Sequence, residues 1–270
     1  VDCSVEEHHP HNKNTIILLH GWLDNLASFQ RLSEQLSDFR LILLDFPGHG
    51  QSAHLPPGQV YYFIDLVNVI DDLVEHFELD KFFIVAHSMG AAVSTLYAAL
   101  NRNLAGLVLI DGHGPLSSKP EEVVELLQKA LASRRQRTGK RMFNSLDDMV
   151  KARALHSKVA EGLIKPIVER GSIKQDNQFR WSSDARLKDP SHVRLSEQQV
   201  QYCLSAIQCN VVLILAKGGF LYNHPITQQR IGKFKSCELF EWNGSHHIHL
   251  ERPIETAEVI KNFIQRQLAD

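Results

Sequence analysis

The sequence predicts an α/β fold: a mostly parallel sheet with helices on both faces and one helical insertion. Three observations predict it. Short apolar, β-branched runs alternate with helical patterns up to residue 112 and again from residue 208. The stretch 113–207 between them carries helical segments and no convincing buried strand. One serine, Ser88, stands between small residues where a strand runs into a helix.

In order, Cys3 to Glu7 reads as the end of an early strand, and the polar, Pro-containing stretch His8 to Asn14 as a turn. Thr15 to Leu19 is a buried strand that ends in His20-Gly21-Trp22-Leu23-Asp24-Asn25. Ser28 to Leu36 reads as a helix. Leu41 to Leu44 is the next strand, and Asp45-Phe46-Pro47-Gly48-His49-Gly50-Gln51-Ser52 after it is turn-rich. From Tyr62 to Phe77 the apolar residues Phe63, Leu66, Val67, Ile70, Leu73, Val74 and Phe77 recur at helical spacing. The short apolar run that begins at Phe82 and leads to Ser88 reads as a buried strand, Ala91 to Leu100 as a helix, and Leu104 to Ile110 as a strand that ends in Asp111-Gly112. Within 113–207 the segments Glu121 to Arg137, Asp147 to Lys158 and Ser196 to Ile207 read as helices. The alternation resumes with Val211 to Leu215 (strand), Thr227 to Lys233 (helix), Glu238 to Trp242 (strand) and Ile254 to Gln267 (helix). The reading is a core of 1–112 and 208–270 and an all-helical insertion of 113–207. Such an insertion is most simply a lid over the active-site edge.

Ligands of parallel sheets bind beyond the carboxyl ends of the strands. His20, Asp45, Ser88 and Asp111 all fall at such ends. A serine at a sharp strand-to-helix turn has its Oγ pushed out above the sheet, and crowding demands small neighbours. The usual spacing is Gly-x-Ser-x-Gly. Here Ala86 replaces the first Gly and remains small enough. The following helix aims unpaired N–H groups at the same spot. Serine near its free pKa is a poor nucleophile and needs a base. The chain supplies histidines after its last strand, in Gly244-Ser245-His246-His247-Ile248-His249.

Composition narrows the classes. The chain has 270 residues, 43% of them hydrophobic, and a formal net charge of −2. It is long enough for a sizeable core. Nucleic-acid binding needs a basic domain, and near-neutral charge argues against it. No apolar run approaches the roughly 20 residues of a membrane helix, and no signal peptide is visible. Cys3, Cys203, Cys209 and Cys237 show no paired spacing and read as reduced thiols, so a cytoplasmic location is the expectation. Nothing in the composition sets an oligomeric state.

The motifs of residues 20–25, 45–50, 86–90 and 244–246, with serine early and histidine late, together resemble the α/β-hydrolases with a helical cap. They resemble most the serine hydrolase-like subgroup, as does Phe179-Arg180-Trp181-Ser182-Ser183-Asp184-Ala185-Arg186-Leu187. The resemblance spans nearly the whole chain. It implies Ser88 as nucleophile and His246 as base. It also implies an oxyanion hole from the backbone N–H groups of Met89 and Trp22, with Leu23 the alternative to Trp22. It implies a small-molecule ester or acyl substrate, no metal and no organic cofactor. Many members carry the acid after the strand that corresponds to Val211–Leu215. Here no Asp or Glu occurs from Gln198 to Cys237. Some branches place the acid one strand earlier, where this chain has Asp111. The bland alternative for Asp111 is a strand-end residue capping the next turn.

By the same pattern His247 and His249 pack or face solvent rather than bind metal, and Asp45 and His49 are structural. Arg180 and Arg186 are salt-bridged or solvated rather than ligands of a substrate carboxylate. The leading function is hydrolysis of carboxylic esters through an acyl-enzyme. The alternatives are a C–C bond hydrolase of meta-cleavage type and a degenerate, non-catalytic binding protein. A dehalogenase or epoxide hydrolase is disfavoured, because it needs a carboxylate where Ser88 stands.

Overall fold

The computed structural model describes residues 1–137, 139 and 141–269. Strands β1 (Val5–His8), β2 (Thr15–Leu19), β3 (Arg40–Leu44), β4 (Phe82–His87) and β5 (Leu104–Ile110) precede the insertion. Within it lie β6 (Ser172–Gln175) and β7 (Gln178–Trp181), and β8 (Asn210–Ala216) and β9 (Cys237–Trp242) follow. Seven of them form one sheet in the order β1-β3-β2-β4-β5-β8-β9. Only the β1–β3 pairing in that sheet is antiparallel. From β2 the chain steps to β3 on one side and then crosses back to β4 on the other. That reversal opens a crevice between the ends of β2 and β4. The loop His20–Asn25 and the Ser88 turn both face it.

Helices α1 (Gln30–Ser33), α2 (Leu66–His76) and α3 (Met89–Leu100) belong to the first half. The insertion contributes α4 (Val123–Gln136), α5 (Leu146–Ser157), α6 (Glu161–Arg170) and α7 (Glu197–Ala206). Then come α8 (Ile226–Ile231), α9 (Ile248–Glu251) and α10 (Pro253–Ala269). One sheet face packs on Ile70 and Leu73 of α2, Val93 and Tyr97 of α3, and Val200 and Leu204 of α7. The other packs on Leu32 of α1 and Ile260, Phe263 and Ile264 of α10. Each such aliphatic or aromatic side chain contributes about 1.5–3 kcal/mol relative to exposure. Both faces are covered, so β2, β4 and β8 read as unbroken apolar runs without alternation.

The insertion has a core of its own, including Phe143, Met149, Ile164, Ile167 and Val168, and Leu250 joins it from the loop after β9. Two features differ from the sequence reading. Helix α6 carries Pro166 in its interior, which breaks the usual helix signal, yet Ile164, Ile167 and Val168 still bury one face. The insertion is also not all-helical, because β6 and β7 form an antiparallel hairpin. None of its residues is buried, so it gives no apolar run to read. No helix among the described residues is long and apolar enough to cross a membrane. The four cysteines are unpaired.

Helix α3 comes very close to β2. A Cβ at Gly90 would lie 2.3 Å from the backbone oxygen of Leu19. Backbone cannot yield as a side-chain tip can. Gly90→Ala is therefore expected to destabilise the fold by about 1–3 kcal/mol. Urea denaturation should show a lower midpoint at unchanged slope. An unchanged midpoint would contradict the packing described.

Candidate active site

Ser88 sits between β4 and α3 with φ 51° and ψ −110°. A side chain in such a region costs about 1–3 kcal/mol and persists only where surroundings fix it. Three neighbours do so. Ser88 N–H donates to the Ile110 carbonyl of β5 at 3.0 Å. Gly90 N–H donates to the His20 carbonyl at 3.1 Å. A Cβ at Gly112 would lie 2.7 Å from the Ser88 backbone oxygen, so only glycine lets the chain after β5 pass there. Ala86 and Ala91 are fully buried beside the turn.

The structure brings Ser88, His246 and Asp111 into one hydrogen-bonded row. His246 Nε2 lies 2.9 Å from Ser88 Oγ, and His246 Nδ1 lies 2.5 Å from Asp111 Oδ2. A carboxylate accepts only, so it calls for the proton on Nδ1 and leaves Nε2 bare toward the serine. Asp111 is fully buried and takes φ 44°. Its N–H donates to the Ile214 carbonyl at 2.8 Å, and its Oδ1 accepts from Ala216 N–H at 3.0 Å. Asp111 thus leaves β5 and leans over the end of β8. The Phe220 ring, 60% exposed, packs at 4.8 Å from the His246 ring. The backbone N–H groups of Met89, Trp22 and Leu23 have no hydrogen-bond partner among the described residues. That of Met89 opens α3 and has no partner within the helix. A cavity of about 630 Å³ lined by Val5, Leu44, Tyr61 and Leu66, among others, lies at the β1 edge and includes none of the three residues in the row.

The loop after β2 does more than flank Ser88. Trp22 Nε1 donates to the Leu187 carbonyl at 2.9 Å, Asn25 Nδ2 donates to the Ile167 carbonyl at 2.8 Å, and Asp24 Oδ1 accepts from Arg153 at 2.5 Å. All three partners lie in the insertion. Asp45 is a structural tie: it accepts from Leu26 N–H at 2.7 Å, Gln51 N–H at 2.8 Å and Arg170 of α6 at 2.9 Å. Arg186 is spent on Asp184 and on the carbonyls of Leu55, Pro56 and Gln59. Arg180 donates to Gln175.

His247 and His249 are both buried, so they pack rather than face solvent. His247 Nε2 donates to Asp24 Oδ2 at 3.1 Å, and the ring of His249 lies 5.1 Å from that of Phe29. His87 Nδ1 lies 3.7 Å from the same Asp24 oxygen. Asp24, His87 and His247 have donor atoms within 4.8 Å of one another, a spacing a cation could use. Arg153 already places a positive charge on that carboxylate. Burial alone would raise the Asp24 carboxyl, but His247 and Arg153 beside it hold it well below the ordinary range. Burial, with His20 adjacent, pushes His49 down to about 3, and burial with His247 beside it does the same to His249. Burial likewise lowers His20, and His87 falls well below the ordinary value through burial and its histidine neighbours. Asp24, His87 and Arg153 were not singled out by sequence. Their partners lie 223 and 129 residues from Asp24, and no spacing signals such pairs.

Residues 14–251 match the family described as the alpha/beta hydrolase fold, and the chain belongs to it. The chain is similar to "Serine hydrolase-like protein" of Danio rerio, 27% identical over 97% of this chain and 84% of that protein. It is also similar to "Serine hydrolase-like protein 2" of Homo sapiens, 26% identical over 93% of this chain and 86% of that one. Among solved structures, the crystal structure of a hypothetical protein from Pseudomonas aeruginosa PAO1 superposes with a TM-score of 0.89 at 30% identity. It covers 97% of this chain and 95% of the other. The chain is thus an α/β-hydrolase of the serine hydrolase-like subgroup, and a hydrolase.

The buried histidines set an acid limit. A histidine kept neutral in the fold but protonated once unfolded gives the unfolded chain more bound protons. Stability then falls as pH drops from about 6.5 toward the folded-state value. For His49 and His249 that window runs down to about 3. The depressed Asp24 carboxyl adds a loss below its ordinary pKa. Unfolding followed between pH 7 and 5 should show stability falling with acid. His49→Gln should lessen that slope by about 1 kcal/mol per pH unit averaged over this range, rising toward about 1.4 at its acid end. An unaltered slope would contradict the neutral, buried His49.

Proposed function

We propose that the protein is a serine hydrolase that cleaves carboxylic esters through an acyl-enzyme. The observation that carries this reading is the unbroken row from Asp111 Oδ2 to His246 to Ser88 Oγ. Ser88 Oγ attacks the ester carbonyl carbon while His246 Nε2 takes its proton. Asp111 holds the imidazole tautomer and stabilises the imidazolium that forms. The developing oxyanion accepts from the N–H groups of Met89 and Trp22, each of which is worth about 10²–10³ in rate. The intermediate collapses and the leaving alcohol takes the proton from Nε2. Water, activated by the same histidine, then attacks the acyl-serine and releases the acid and Ser88.

No step asks for a metal or an organic cofactor. The stretch 113–207 serves as a cap that shapes the substrate pocket, and α7 returns the chain onto α3. The half-exposed Trp22 and the exposed Phe220 beside His246 suit an apolar acyl group. The contact between Asp111 and His246 favours catalysis over a purely binding role, which gives no reason to orient the imidazole.

A fluorophosphonate probe should label wild-type protein at Ser88. Ser88→Ala should lose both labelling and turnover of p-nitrophenyl esters while circular dichroism is unchanged, because the turn needs only a small residue. Turnover by purified Ser88→Ala would sink the nucleophile assignment. Activity across acyl chain lengths would define the pocket.

Asp111→Asn should keep the contacts of the backbone but favour the wrong imidazole tautomer. A fall in kcat of about 10⁴ is expected. A fall of less than tenfold in steady-state assays would remove Asp111 from the mechanism.

A further inference from the structure

The loop that bears His246 follows β9, the edge strand, and β5 and β8 separate β9 from β4. It must therefore reach back across two strands to meet Ser88. Besides the contact of the His246 ring with Ser88, a side chain beside the Ser88 turn holds the backbone of this loop. His87, the residue before Ser88, directs its Nε2 at the backbone carbonyl of His246, 2.9 Å away. We propose that His87 is a positioning residue for the base, its Nε2–H fixing where the His246 imidazole stands relative to Ser88. The proposal rests on the reading of His246 as the base.

The protonation of His87 follows from distance. A carbonyl oxygen can only accept, so at 2.9 Å the proton belongs on Nε2. Nδ1 is then a bare lone pair. It has no hydrogen-bond partner among the described residues, and Asp24 Oδ2 at 3.7 Å is too far to accept from it. The opposite tautomer would break the short contact and gain only the long one. The ring is also fixed on its faces. It is buried, with the rings of His249, His246 and His247 centred 4.4, 4.7 and 5.0 Å away. On its Nδ1 edge the loop after β2 closes in, where a Cβ at Gly21 would lie 2.8 Å from Nδ1. His87 therefore sits between the loop proposed to hold the oxyanion and the loop that bears the base. The Asp24–His247 contact fixes the next residue of the latter loop from the same side.

A histidine that merely filled space would tolerate any polar residue of similar bulk. A positioning residue needs a donor at the place of Nε2. Glutamine and asparagine separate the two roles. The amide nitrogen of glutamine is as many bonds from Cβ as Nε2 of histidine, while that of asparagine reaches only as far as Nδ1.

His87→Asn is expected to lower kcat, and the rate of fluorophosphonate labelling, by about 10- to 100-fold at similar KM, since small misplacement of a reacting group carries losses of that size. His87→Gln should recover most of that loss. A second readout does not need turnover: the downfield proton resonance of the His246 Nδ1–H···Asp111 hydrogen bond. It should persist in wild type and His87→Gln, and broaden or vanish in His87→Asn. Circular dichroism and thermal melts check that both variants fold. Should His87→Asn fail to fold, His87→Gln against His87→Met gives the same comparison of donor with no donor. Equal kcat and an intact resonance in the donor-less variant would overturn the proposal. If wild-type protein is neither labelled nor active while the resonance responds as described, the clamp stands and the esterase reading fails.

Discussion

The site depends on a single strained turn. Ser88 holds φ 51° without the freedom of glycine, and β2, β4 and β5 each supply part of what holds it there. The strain is about 1–3 kcal/mol. The buried residues of any one of these strands contribute more than that. Glycine appears where neighbours crowd the turn, at Gly90 against β2 and at Gly112 against the Ser88 backbone. The parallel sheet is thus the frame that lets a serine side chain project into the crevice where strand order reverses.

A second dependence runs through the loop after β2. Trp22, Asp24 and Asn25 each bind a different part of the insertion, while the backbone of the same loop adjoins Ser88. The insertion and this loop therefore cannot move independently. Pulling Arg153 away would leave the buried Asp24 carboxylate without its full charge compensation. Breaking one side of a buried pair costs about 3–5 kcal/mol. That scale favours an insertion tied down at its base over one that swings free.

The sheet was legible in sequence because both its faces are covered, so each central strand is a plain apolar run. Ser88 was legible because steric crowding restricts its neighbours to small residues. The hairpin of β6 and β7 was not, because its residues are never buried and carry no pattern. Helix α6 was hidden by Pro166, whose cost is offset by the apolar face packed beneath it. The Asp24 cluster lies beyond sequence reasoning for a different reason. A lone buried carboxylate has no local signature. Its meaning comes from Arg153, His87 and His247, which only the fold brings together. His249 carries no visible role in sequence either, since its place under Phe29 is a matter of packing.

The position of the carboxylate has a physical explanation in the loop that lacks one. Asp111 begins one strand early, but its positive φ tips the side chain over the end of β8, where Oδ1 accepts from Ala216 N–H. The carboxylate thus occupies space next to the loop after β8. A Cβ at Gly219 would lie 2.3 Å from Asp111 Oδ2, and one at Gly218 would lie 2.6 Å from the Gly244 oxygen in the loop that bears His246. A side chain at either place would press on the carboxylate or on the loop that bears His246. The two glycines are thus fixed by the packing of Asp111 and of the loop that bears His246. The carboxylate of Asp111 leaves no room for a side chain at Gly219, and Phe220, the next residue, packs against the His246 ring.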